Sequence, residues 1–136
     1  MILDVEKGFK QYFVSKMEEI VGNGNFSVDI HNYIFPDNSG HTGISIFDEN
    51  PTNHNAQRIY PTSIRIHCRS NRKATAFTLM QNTDLLIDKR MVEDLNADLK
   101  LLRCSRNAGP SYFKGEDGLH YYTALYGVEV GLKDAS

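Results

Sequence analysis

The chain has 136 residues, a net charge of −2, 40% apolar residues and 24% charged residues, which suits one domain able to bury roughly two-thirds of its unfolded-chain surface. That balance excludes a disordered chain, a fibrous repeat and a globally basic binder of nucleic acid or anionic lipid. No apolar run approaches the roughly 18 residues of a membrane span, and the start, Met1-Ile2-Leu3-Asp4-Val5-Glu6-Lys7, lacks the basic and unbroken apolar regions of a signal peptide.

Residues 2–21 carry Ile2, Val5, Phe9, Tyr12, Phe13, Met17, Ile20 and Val21 at helical spacing. Asp4 suits the cap and Gly22 the left-handed stop. Gly8 costs about 1 kcal/mol against Ala in a helix, so tertiary packing must hold it. Phe26, Val28 and Ile30 alternate with polar residues, as do Ile44 and Ile46, and each run predicts a strand with one buried face. Phe35-Pro36-Asp37-Asn38-Ser39-Gly40 between them is a turn by composition. The polar stretch 48–55 predicts an exposed loop.

The clearest strand is Ser63-Ile64-Arg65-Ile66-His67-Cys68-Arg69, with Ile64, Ile66 and Cys68 on one face and Arg65, His67 and Arg69 on the other. Ser70 or Asn71 suits the cap of a second helix running to about residue 88, with Ala76, Leu79, Met80, Leu86 and Ile87 on its buried face. A short helical piece is expected near residues 92–95. Residues 99–104 predict a further strand, 107–119 a turn-rich connection, and 120–132 a last strand with Tyr122, Ala124, Tyr126, Val128, Val130 and Leu132 on one face. The order is α-β-β-β-α-β-β: an α+β fold, one domain over 1–136, its mainly antiparallel sheet packed on one side by two helices.

Catalytic and cofactor signatures are absent from the sequence. The five histidines, His31, His41, His54, His67 and His120, fall in no zinc-binding spacing, and there is no CxxC. Gly22-Asn23-Gly24-Asn25 has neither a Walker lysine nor dinucleotide spacing. No nucleophile elbow occurs, and Cys68 and Cys104 sit in strand patterns that suit buried reduced thiols. Glu116-Asp117 reads as a solvated turn before it reads as a catalytic pair. Arg65, Arg69, Arg72, Lys73, Lys100 and Arg103 form either a solvated, salt-bridged face, a subunit interface or a phosphate stripe.

The most informative segment is Gly109-Pro110-Ser111-Tyr112-Phe113-Lys114-Gly115-Glu116-Asp117-Gly118-Leu119-His120-Tyr121-Tyr122-Thr123. Its Gly-Pro, aromatic pair, Gly-acidic turn and Tyr-rich strand resemble the tail-terminator (minor capsid) proteins of long-tailed, siphovirus-type bacteriophages. The N-terminal helix, the Ile-Arg-Ile-His-Cys-Arg strand and the helix opening Arg72-Lys73-Ala74 are similar too. The resemblance implies a structural protein, not an enzyme, with no cofactor and no metal. It implies a ring, usually a hexamer, that caps the tail tube, stops its polymerisation and meets the head connector or head-closure protein. Its partners would then be the tail-tube protein, the connector and its own copies, with no membrane, and nucleic acid would be met only by passage through the ring. The protein would be made in the bacterial cytoplasm and reside in the virion at the tail-head junction.

A ring contact is heterologous. Tyr112 and Phe113 suit its aromatic anchors unless they fold back on the core. Arg65 and Arg69 suit pairing across it with Glu116 or Asp117. The competing readings are a head-closure or tail-completion neck protein, and a small cytosolic nucleic-acid-binding module built on Arg65, Arg69, Arg72 and Lys73.

Overall fold

A computed structural model describes residues 4–24, 26–32, 34–36, 40–49 and 59–133. The expected places of Ile2 in the first helix, of 37–39 in the turn and of 50–55 in the polar loop fall outside the described residues.

The first helix, α1 (Val5–Ser15), buries Val5, Phe9, Tyr12 and Phe13, and the Asp4 side chain accepts the Lys7 N–H at 3.0 Å. Gly8 faces the sheet's far end: a Cβ there would lie 3.0 Å from Leu99 Cδ1, so glycine permits a close approach that offsets its helical cost. The single predicted helix is broken. Ser15 Oγ donates to the Tyr12 carbonyl at 2.6 Å, a local bond that competes with the helical ladder, and Lys16 leaves helical geometry before α2 (Met17–Val21). The stop at Gly22 has φ 62°.

Six strands follow: β1 (Asp29–Asn32), β2 (Gly43–Asp48) and β3 (Ile59–Ser70), then, after the helix α3 (Lys73–Ile87), β4 (Met91–Asp94), β5 (Leu99–Lys114) and β6 (His120–Leu132). Their spatial order is β1-β2-β3-β6-β5-β4. β1 and β2 run parallel and every other pair antiparallel. The sheet is thus mainly antiparallel, as expected, with α1 packed on β1 and β2 and α3 on β3, β6 and β5. Register sets its two faces. Ile46, Ile66 and Ala124 align across three strands, as do Ile44, Cys68 and Tyr122, and all but Tyr122 are fully buried. Ser45, His67 and Thr123 align on the opposite face, flanked by His31 and Ser111.

Three further expectations need correction. Residues 92–95 are not helical. Met91–Asp94 is an edge strand whose Met91 and Glu93 lie opposite Arg103 and Leu101; four residues are too few to repay helix nucleation when a strand edge is available. Neither Ser70 nor Asn71 caps the second helix. Arg72 occupies that position without a side-chain bond, because Ser70 ends β3 and its hydroxyl bonds Thr42 at 2.8 Å. The stretch 107–119 is mostly strand, and the turn proper is 115–119, closed by the Gly115 N–H on the Leu119 carbonyl at 2.9 Å. Register shifts within 101–111 absorb the Gly-Pro while β5 stays paired with β6.

Candidate interaction site

The face turned away from the helices carries a groove of about 780 Å³. Its floor is Ser45 and Phe47 of β2, His67 and Arg69 of β3 and Tyr121 of β6. The β1–β2 connection forms one wall through Ile34, Phe35 and Pro36. The end of the β5–β6 hairpin forms the other through Phe113 and residues 115–117.

Arg69 organises this end of the sheet. It is 7% exposed. Its guanidinium lies 3.9 Å over the Phe35 ring, donates to the Gly40 carbonyl at 2.9 Å and approaches Asp117 at 3.9 Å. Asp117 in turn accepts the Tyr121 hydroxyl at 2.7 Å and the Leu119 N–H at 3.0 Å. These two bonds, the Tyr121 one foremost, hold its carboxyl below the usual carboxylate range. The Arg69–Asp117 attraction therefore works inside one chain and ties the hairpin turn to β3. Arg65 likewise pairs with Glu49 at 2.7 Å on the surface.

Tyr112 and Phe113 are adjacent but lie on opposite faces of the hairpin, as strand alternation requires. Phe113 stacks on Tyr121 with centroids 4.8 Å apart and planes 5° from parallel, and His67 meets both rings edge-on. On the helix side, Tyr112 packs against Tyr122 at 5.3 Å. Its hydroxyl bonds His120 Nδ1 at 2.7 Å, and Lys73 Nζ lies 4.3 Å over its ring. Phe77 of α3 extends this row at 5.6 Å from Tyr122. Both anchors thus fold partly back on their own chain, yet they stay 39% and 42% exposed. Glu116 projects from the turn, exposed.

Burial pushes the His67 imidazole below its ordinary pKa, and Arg65 reinforces the effect. His67 Nδ1 and Thr123 Oγ1, opposite each other on β3 and β6, are buried without a hydrogen-bond partner among the described residues. Cys68 and Cys104 are buried free thiols, both pushed up to about 12 by desolvation, a state unsuited to nucleophilic attack. Among the described residues, no group of three or more His, Cys, Asp or Glu side chains is placed to hold a metal ion.

The basic residues do not form one stripe. Arg65 and Arg69 sit on the groove side, paired with Glu49 and Asp117. Lys73 covers Tyr112 on the other side of the hairpin, and Arg103 pairs with Glu129 at 3.8 Å. Strand alternation already put His67 beside Arg65 and Arg69. Phe35 carried no such signal, because a turn composition does not reveal which strand its aromatic will cover.

No family model matches the chain, and no curated protein does. A chain in the solved structure of the virion of a native gene transfer agent (GTA) particle shares the fold. The TM-score is 0.59 at 11% sequence identity, covering 95% of this chain and 99% of that one. At that identity the likeness is one of fold.

Proposed function

We propose that the chain is a structural assembly protein of a phage-type virion, a tail terminator. Copies form a ring, a hexamer, on the last ring of the tail tube, stop its polymerisation and present the joint to the head connector or head-closure protein. Its place is the tail-head junction, and DNA meets it by passing through the ring. The observation that carries this reading is the end-to-end fold likeness to a chain of a gene-transfer-agent virion. It converges with the 109–123 segment, which is a hairpin end with two half-exposed aromatics and a projecting carboxylate. A phosphate-binding role is less well supported, because three of the four arginines of the expected stripe, Arg65, Arg69 and Arg103, pair with Glu49, Asp117 and Glu129.

The test is tube growth. Added to polymerising tail-tube subunits, the chain should arrest elongation and appear as a terminal ring in negative-stain images. Tubes that lengthen unchanged in excess protein would refute the reading. A head-closure or tail-completion protein would instead bind the connector and leave tube growth untouched.

A further inference from the structure

Among the described residues, the four most exposed large apolar side chains are Leu85 at 73%, Met91 at 68%, and Val92 and Ile34 at 62%. They occupy two places. Leu85, Met91 and Val92 cluster where α3 turns into β4, and Ile34 is on the lip of the aromatic groove. Exposed apolar groups concentrated in this way mark contact surfaces.

The α3–β4 corner, here termed the knob, is exposed and apolar through Leu85, Met91 and Val92. Lys89 stands in the connection just after α3 ends at Ile87, exposed. Lys89 and Val92 both have positive φ, 63° and 50°, which for a β-branched residue such as Val92 is a genuine departure from preferred geometry. Arg90 behind them is engaged with Glu93 and the Leu86 carbonyl, so the charge the knob presents outward is Lys89. The groove is the opposite kind of surface: concave, aromatic through Phe35, Phe47 and Phe113, with Glu116 on its rim. Neither Lys89 nor Glu116 has an ion-pair partner among the described residues.

The two surfaces cannot meet within one chain. Met91 lies opposite Arg103 on β5, and Phe113 is ten residues further along that strand, about 30 Å away at strand rise. A knob at one end of the sheet and a complementary groove at the other is the arrangement a head-to-tail assembly requires, since each copy then offers both halves of the contact.

We propose that successive copies of this chain join by seating the Leu85–Lys89–Met91–Val92 knob of one in the Phe35–Phe47–Phe113 groove of the next, with Lys89 facing Glu116. This rests on the ring reading above and names its contact. Tyr112, on the other face of the hairpin, lies outside it.

Two experiments test the contact. In the first, Val92→Cys and Glu116→Cys are placed in the same chain; the native thiols are buried. Mild oxidation should give a ladder of disulfide-linked multimers, on the free chain at high concentration and on capped tubes, while either single variant stays monomeric on the gel. In the second, Lys89→Glu and Glu116→Lys are each expected to weaken self-association about tenfold, and the double charge reversal to restore it to within about threefold of the natural chain. Absence of the ladder, a ladder from one single variant alone, or a double reversal no better than its parts would overturn the proposal. Arrest of tube growth is scored separately with the unaltered chain. Caps without cross-links would sink this contact and spare the terminator reading. Cross-links without arrest would do the reverse.

Discussion

Tyr126→Phe removes one hydroxyl and leaves the ring. Tyr126 is fully buried, and its hydroxyl donates to Asp84 Oδ1 at 2.7 Å. Asp84 Oδ2 accepts Arg106 Nη1 at 2.7 Å, and Asp88 accepts the Arg106 N–H at 2.8 Å. One carboxylate on α3 thus fastens β6 and the start of the exposed part of β5. A hydrogen bond to a charged acceptor contributes roughly 1.5–3 kcal/mol. The Asp84 side chain is 17% exposed, so water can replace part of the loss, and the expected cost is about 1.5 kcal/mol. For a domain of this size that lowers Tm by about 5 °C. Urea unfolding of Tyr126→Phe, Asp84→Ala and the double variant isolates the coupling. We expect the double variant to be more stable than the sum of the singles implies, by about 1 kcal/mol. Additivity within about 0.3 kcal/mol would show that the bond contributes nothing beyond its two separate residues.

Gly109→Ala should destabilise by at least about 2 kcal/mol in the same assay, because φ there is unfavourable to L side chains and the new Cβ would sit 2.6 Å from the Thr123 carbonyl oxygen. Gly118→Ala, at φ 81° with nothing within 4 Å of the new Cβ, should cost only about 1 kcal/mol; equal effects would refute the backbone-clash argument. His67 is held below its unfolded pKa of about 6.5, so the unfolded chain takes the proton first. Its contribution is full above that pH and is lost as pH falls through it toward the folded value. Thermal melts should therefore show a Tm that declines with acidification through this window, more shallowly in His67→Gln. His31, lowered chiefly by burial, adds a slope of the same sign that survives the substitution. Cys68 and Cys104 should resist a thiol reagent at mildly alkaline pH in the native protein and react fully in denaturant; a rapid native reaction would contradict their burial.

The sequence was most legible where one face of an element meets the core. The alternation at 63–69 and 120–132 set the central strands, and the spacing of Val5, Phe9, Tyr12 and Phe13 set the buried side of α1. It was least legible where a partner strand decides the conformation. Met91–Asp94 has no strong pattern and becomes β4 because β5 offers an edge. The Gly109-Pro110 pair, a turn signal in isolation, lies inside a strand because register shifts accommodate it. The groove was half visible. Arg65, His67 and Arg69 shared a face by alternation, and the hairpin aromatics were evident in the chain. That Arg69 turns inward to Phe35, Gly40 and Asp117 depends on contacts between residues 29 to 48 positions apart, which no local pattern encodes.

β5 is far longer than its neighbour β4, which pairs only with residues 100–103. Residues 105–114 therefore pair with β6 on one side and, among the described residues, have no strand on the other. Such a rim is a ready template for foreign strands and for sticky, fibre-like growth. Here the irregular register at 106–111 breaks the even spacing of its amides, and Pro110 withholds a donor from the row. A protein that has to remain dispersed at high local concentration until its moment of use can keep a long rim open on those terms. Straightening it, by removing Pro110 or regularising the register, should make the chain clump rather than strengthen it.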